Sequence, residues 1–162
     1  LDLDKINEWC EKNKRSFVLK FHPFISRQFG DAMALPDSEN VQALPSHPHL
    51  YLYPSGKNIY PWLADAETLI TDYSSIAYDF LLADKPIIYF QYDKQDYLKL
   101  RGNTLVSDSD FIAGEVVETI DELLRFLTDY PAANAELISA MRDKFLLDNK
   151  LACPLILEKV RS

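Results

Sequence analysis

The stretch from Thr68 to Phe90 restricts the fold more than any other part of this sequence. Thr68-Leu69-Ile70-Thr71 reads as a short strand with an apolar centre, and Asp72-Tyr73-Ser74-Ser75 turns it into a helix expected from about Ser75 to Ala83. Ile76, Phe80 and Ala83 form one apolar stripe on that helix. Asp84-Lys85 breaks it, and Pro86 opens a second strand over Ile87 to Phe90. Both strands are too uniformly apolar for an antiparallel sheet wetted on one face, so the segment calls for a parallel α/β sheet covered on both sides.

The flanking segments extend this pattern. Leu3, Ile6 and Trp9 recur at helical spacing before the charged stretch Glu11 to Arg15, and Phe17-Val18-Leu19-Lys20-Phe21 reads as a buried strand. His22-Pro23 ends that strand, because proline removes a ladder donor and restricts the residue before it. Gly30 to His49 reads as a surface loop, Leu50 to Tyr53 as a strand, and Ile59 to Ala64 as a short helix. Thr119 to Glu122 has the form of a capping box ahead of Leu123, Leu124 and Leu127. Pro131 and Pro154 suit the starts of two further helices. The expectation is one doubly wound domain over residues 1–162, with C-terminal helices packed across it.

At 162 residues and 48% apolar content, the chain can bury a core of its own. A formal charge of -8 removes the broad positive field that binding a nucleic-acid backbone needs, and it argues equally against a bare anionic lipid surface. One diphosphate, however, requires only a few local donors. Cys10 and Cys153 lie near opposite ends of the chain without metal-ligand spacing and read as reduced structural thiols. His47 and His49 flank Pro48 in what reads as an exposed loop, so no metal is expected. Apolar runs fall short of the ~20 residues of a bilayer span.

In open parallel sheets ligands settle beyond the carboxyl ends of the strands. Two features fall on that edge: Lys20-Phe21-His22-Pro23, and Thr71-Asp72-Tyr73-Ser74-Ser75 with Asp79. A serine pair at a helix start offers hydroxyls beside free backbone N–H groups, suited to phosphate. Asp79, four residues beyond Ser75, is on the same helix face one turn on, within reach of a ribose hydroxyl pair. By residue chemistry alone, Ser74 reads more readily as an ordinary N-cap and Asp79 as a solvated helix residue, while His22 is equally readable as a histidine bonded to backbone.

Lys20-Phe21-His22-Pro23, Leu69 to Ser75 with Asp79, Lys85-Pro86-Ile87-Ile88-Tyr89-Phe90, Gln91-Tyr92-Asp93 and the Tyr97 to Gly102 segment together resemble the C-terminal domain of the CDP-glycerol glycerophosphotransferases of teichoic-acid synthesis. The resemblance implies a GT-B architecture of two Rossmann-like domains, this chain being the nucleotide-donor half and the acceptor domain lying outside it. It implies that His22 is catalytic, beside the donor phosphates, where it stabilises charge on departing CMP. Ser74 and Ser75 hold phosphate oxygens, Thr71 and Asp72 are donor-binding residues of the same turn, Asp79 takes the ribose, Arg101 approaches the donor or acceptor phosphate or is a plain surface arginine, and the segment from Tyr53 to Tyr60 packs near the cytosine. CDP-glycerol is then a substrate and CMP a product, with no separate cofactor required. The implied location is cytoplasmic, at the inner face of the plasma membrane and peripheral to it through the full-length protein. The chain by itself is expected to bind nucleotide weakly and to show no turnover.

Two segments depart from the family pattern. Ser107 to Glu115 lacks the usual Pro-Gly turn, and Asp148-Asn149-Lys150-Leu151-Ala152-Cys153 stands where an Asp-Gly-Lys-Ala-Ser-like element is typical. These leave ribitol phosphate or another CDP-polyol open as the donor. A nucleotide-sugar glycosyltransferase or epimerase on the same architecture, and a non-catalytic flavodoxin-like binding module, are the rival readings.

Overall fold

The computed structural model describes residues 1–21, 39–101, 112–129, 135–145 and 152–161. The chain divides into two compact units, Leu1–Trp62 with Ile120–Asp129, and Leu63–Thr119 with Tyr130–Ser162. Each has its own three-stranded sheet and its own core. The α/β class is as expected, whereas the expected single sheet is two separate ones among the described residues.

In the first unit, helix α1 (Leu3–Asn13) starts at Asp2, whose carboxylate accepts from the Lys5 backbone N–H at 3.1 Å. It stops at Lys14, which adopts the left-handed conformation with φ 55°. Its buried face carries Ile6 and Cys10. These pack on strands β1 (Phe17–Leu19), β2 (Gln42–Leu44) and β3 (His47–Leu52), arranged β1-β3-β2. β1 and β3 run parallel, with Phe17 beside Leu50 and Leu19 beside Leu52. β2 and β3 are an antiparallel hairpin with a register shift between Ala43 and Leu44.

That hairpin corrects the loop expected over residues 30–49, as far as those residues are described. Pro45-Ser46 is the short connection that only an antiparallel pair allows. Pro48 is tolerated because β1 pairs with Leu50 to Leu52 and β2 with His47, Tyr51 and Leu52, so no partner strand needs an N–H at position 48. His47 is likewise not exposed: at 8% exposure it is buried, with Nε2 3.1 Å from Asp4 Oδ1. The His49 N–H donates to Asn7 Oδ1, so both histidines tie β3 to α1.

Cys10 is fully buried, and desolvation, partly offset by a backbone hydrogen bond from Phe17, pushes its thiol up to about 11. At pH 8 it is therefore protonated as well as inaccessible. The expected result is that a disulfide reagent leaves Cys10 unmodified in the folded chain and labels it promptly in urea, as read by peptide mass; prompt labelling of the native chain at Cys10 would contradict this burial.

Helix α2 (Tyr60–Asp65) runs across the boundary between the units. In the second unit β4 (Leu69–Thr71), α3 (Ile76–Phe80), β5 (Ile87–Phe90), α4 (Lys94–Arg101) and β6 (Glu115–Val117) build a fully parallel sheet in the order β4-β5-β6. Leu69 pairs with Ile87 and Thr71 with Tyr89; Ile88 pairs with Glu115 and Phe90 with Val117. Ile87, Ile88 and Tyr89 are all buried, as their apolar run demands. α4 and β6 have no counterpart in the sequence expectations, and α3 is shorter than expected: after Phe80 the backbone tightens into a 3₁₀ turn over Leu81–Ala83. Asp84, at φ 52°, ends that turn and accepts from Arg142 at 2.7 Å.

Helix α5 (Ile120–Asp129) belongs to the first unit, where the Trp9 indole N–H donates to Thr128 Oγ1 at 2.8 Å. Helices α6 (Ala135–Phe145) and α7 (Ala152–Arg161) belong to the second. There, Phe80, Leu81, Ile87 and Tyr89 pack with Ile138 and Met141 of α6. Among the described residues no helix is long and apolar enough to cross a membrane.

Candidate functional site

The three parallel strands of the second unit end together at Thr71, Phe90 and Val117. The chain leaves β4 as Asp72-Tyr73-Ser74-Ser75 and leaves β5 as Gln91-Tyr92-Asp93, so both loops emerge on the carboxyl edge. This is where the sequence places the first five residues of the motif. Thr71 is half-buried in register with Tyr89, while Asp72, Ser74, Ser75 and Asp79 are exposed.

The serine turn differs from an ordinary helix cap. Ser75 occupies the cap position with helical backbone angles, φ -64° and ψ -10°, and its side chain makes no capping hydrogen bond. Ser74 Oγ accepts from the Ile76 N–H at 3.4 Å, beyond the usual range for an N–H···O bond. The Ala77 and Tyr78 N–H groups are already directed to the carbonyls of Ser74 and Ser75, at 3.4 and 3.0 Å. The hydroxyls, rather than a long helix dipole, are thus what this turn offers a ligand: five α-helical residues followed by a 3₁₀ turn give little macrodipole. Asp79 sits one helical turn beyond Ser75, as its spacing requires.

Between the exposed Asp72 and Ser74, Tyr73 turns inward. Its ring lies parallel to Tyr97 of α4, with centroids 3.7 Å apart and planes 11° from parallel. Its hydroxyl donates to Asp93 Oδ1 at 3.1 Å. Burial, reinforced by that bond and by the charges of Asp93 and Asp72, raises the phenol well above its usual range, so it remains a donor throughout neutral pH. Gln91, only 5% exposed, gives its backbone N–H to the Val117 carbonyl at 2.9 Å, while its side-chain Oε1 is buried without a hydrogen-bond partner. Residue chemistry alone assigns no role to Gln91, Asp93 or Tyr97. Their involvement depends on strand register, which no local spacing reveals.

The remaining candidates are distributed differently. His22 lies outside the described residues, and so does its expected convergence on the serine turn. Arg101 is the last residue of α4, its side chain also outside them. In the first unit Tyr53 is buried, donating its hydroxyl to the Asn58 carbonyl at 2.7 Å and meeting Trp62 edge-on at 5.6 Å, whereas Tyr60 is exposed. Tyr53 therefore has structural partners on its own unit, and Tyr60 is the aromatic side chain of that segment open to solvent.

Comparison with known proteins adds relationships to this geometry. The chain is 29% identical over 129 residues to a teichoic acid poly(ribitol-phosphate) polymerase of Bacillus spizizenii, covering 80% of this chain and 19% of that protein. It is 26% identical over 125 residues to the teichoic acid ribitol-phosphate polymerase TarL of Staphylococcus aureus, covering 76% of this chain and 20% of TarL. It thus spans about a fifth of the length of these relatives. The structure of the wall teichoic acid polymerase TagF superposes with a TM-score of 0.72 at 22% identity, over 99% of this chain and 37% of TagF, so the fold is shared. Residues 1–150 match the family described as CDP-glycerol:poly(glycerophosphate) glycerophosphotransferase, and the chain belongs to that family.

Proposed function

We propose that this chain is the donor-binding part of a transferase that moves a polyol phosphate from a CDP-activated donor to a hydroxyl of a cell-surface polymer. One observation supports this above the others: an exposed serine pair, neither hydroxyl engaged in a good cap, at the carboxyl edge of a parallel sheet with Asp79 one turn away. In this reading Ser74 and Ser75 donate to diphosphate oxygens, with Thr71 and Asp72 shaping the turn beneath them. Asp79 accepts from the ribose hydroxyls, His22 stands beside the leaving phosphate and Arg101 supplies a positive charge.

The acceptor oxygen attacks the β-phosphorus and forms the new P–O bond. The bridging P–O bond to CMP breaks, CMP carries the electron pair away, and the acceptor proton passes to a base supplied by the rest of the transferase. Catalysis is then positioning plus stabilisation of charge on the departing CMP, and it requires neither metal nor cofactor from these residues. Work at the cytoplasmic membrane face belongs to the same reading. The family description favours glycerol phosphate as the transferred group, while the names of the two relatives favour ribitol phosphate.

Thermal unfolding of the chain with millimolar nucleotides tests the reading. A ligand present at ten times its dissociation constant stabilises by about 1.4 kcal/mol, enough to see as a shift in midpoint. CDP and CMP are expected to raise the midpoint and UDP-glucose to leave it in place. Protection by UDP-glucose without protection by CDP would favour a nucleotide-sugar enzyme instead. In the complete transferase, CMP release from CDP-glycerol compared with CDP-ribitol then decides the donor.

A further inference from the structure

We propose that Tyr73 is a positioning residue, fixing the Ser74-Ser75 turn to the start of α4 through its stack on Tyr97 and its hydrogen bond to Asp93. The proposal rests on the nucleotide reading above and deepens it, since neither the serine motif nor the family description gives this side chain a task. The neighbours of Tyr73 on either side are exposed and Ser75 makes no capping bond; the carbonyls of Ser74 and Ser75 and the long Ser74 Oγ contact tie the turn forward into α3, so Tyr73 is the side chain that ties it to α4. Both contacts of Tyr73 fall on one rigid piece. Asp93 immediately precedes α4, and its carbonyl accepts from the Tyr97 N–H at 2.9 Å, which joins the two partners in the first helical turn.

A tyrosine suits this task because its ring is stiff, with two torsions to freeze, and because its two attachments are of different kinds. Stacking fixes the plane of the ring, and the bond to a carboxylate fixes how far the ring extends along that plane. With the ring held, the peptide bonds entering Ser74 have little freedom, and the two hydroxyls are presented in one arrangement. A preorganised pair of donors loses less freedom when it meets a diphosphate than a mobile pair does.

Tyr73→Phe keeps the stack and removes the hydrogen bond. In the nitrogen-15-labelled chain the Ser74 and Ser75 amide order parameters should fall from about 0.85 toward about 0.6, the boundary of flexible backbone. CDP affinity, measured by shift titration, should weaken about tenfold with the thermal midpoint nearly unchanged, since a freed turn has to be reordered on binding. Asp93→Ala removes the same bond from the other side and guards against a misfolded Tyr73→Phe; the double variant should lose no more than either alone, whereas Asp93→Asn, which keeps an acceptor, should retain most of the affinity. Order parameters and affinity that stay put in both single variants, or losses that add in the double variant, overturn the proposal. If the parent chain fails to bind CDP at millimolar concentration, the nucleotide reading fails, and the order parameters alone still decide whether Tyr73 holds the turn.

Discussion

Gly114→Ala is expected to unfold the second unit or to destabilise it by about 3 kcal/mol or more, at the upper end of what overpacking a core costs. A Cβ at position 114 would collide with the Ile87 carbonyl oxygen and lie 2.8 Å from its carbon. Both atoms are main chain of the central strand, so no side-chain rotamer can give way. β6 would have to withdraw from β5 where Ile88 pairs with Glu115. The same shift would disturb the Ala113 N–H that donates to the Tyr89 hydroxyl at 3.4 Å and the Val117 carbonyl that accepts from Gln91. Urea unfolding checks this: with a slope of roughly 1–3 kcal/mol per molar, the midpoint should fall by about 1 M or more. A midpoint shifted by less than about 0.3 M, under 1 kcal/mol on the same slope, would mean that the strand approach is looser than it looks.

This glycine also shows what a sequence conceals. Ser107 to Glu115 attracts notice only because it lacks a turn usual in the family, and three residues, Glu115-Val116-Val117, are too few to show alternation. The constraint at Gly114 comes from Ile87, which pattern cannot pair with it. α4 is hidden for a related reason, since Lys94, Gln95, Asp96 and Lys99 dilute its apolar side until no stripe is visible. β5, by contrast, is legible because a strand covered on both faces must be apolar at every position, and that requirement is local; β4, half-buried and ending in Thr71, is legible from its place just ahead of the serine turn. The hairpin of β2 and β3 misleads outright: Pro45, Pro48 and two histidines have the composition of a loop. What makes it a hairpin is Leu44 at 1% exposure and a buried His47 whose carboxylate partner, Asp4, lies on α1.

The candidate site divides along the same line. Thr71 to Ser75 could be placed at a strand's carboxyl end because strand, turn and helix follow one another within ten residues. Whether the serines were spent on capping could not be read, because a cap is a matter of torsion and distance rather than of residue type. The anchoring of Tyr73 was out of reach as well, since Asp93 and Tyr97 come to the turn only through the pairing of β4 with β5.

Replacing both serines tests the chemistry most severely. Under the proposed function, Ser74→Ala with Ser75→Ala in a full-length transferase carrying these residues is expected to lower kcat/KM for the CDP-polyol by roughly 10²–10³, because two hydrogen bonds to a charged diphosphate are worth about 3–5 kcal/mol together and each 1.4 kcal/mol is tenfold. The fold should scarcely register the change. Both side chains are exposed, Ser75 caps nothing and Ser74 makes only the long 3.4 Å contact, so the usual stability cost of a lost cap is largely missing here. How the loss is divided carries further information. Donors that grip the diphosphate equally before and during reaction would raise KM with kcat unchanged, whereas donors aimed at the oxygens that gain charge as CMP departs would lower kcat. In the proposed reading the serine hydroxyls strengthen their bonds as that charge develops, so the second pattern is expected. A folded double variant within about threefold of the parent would remove the serine pair from the donor site, since threefold amounts to less than 1 kcal/mol.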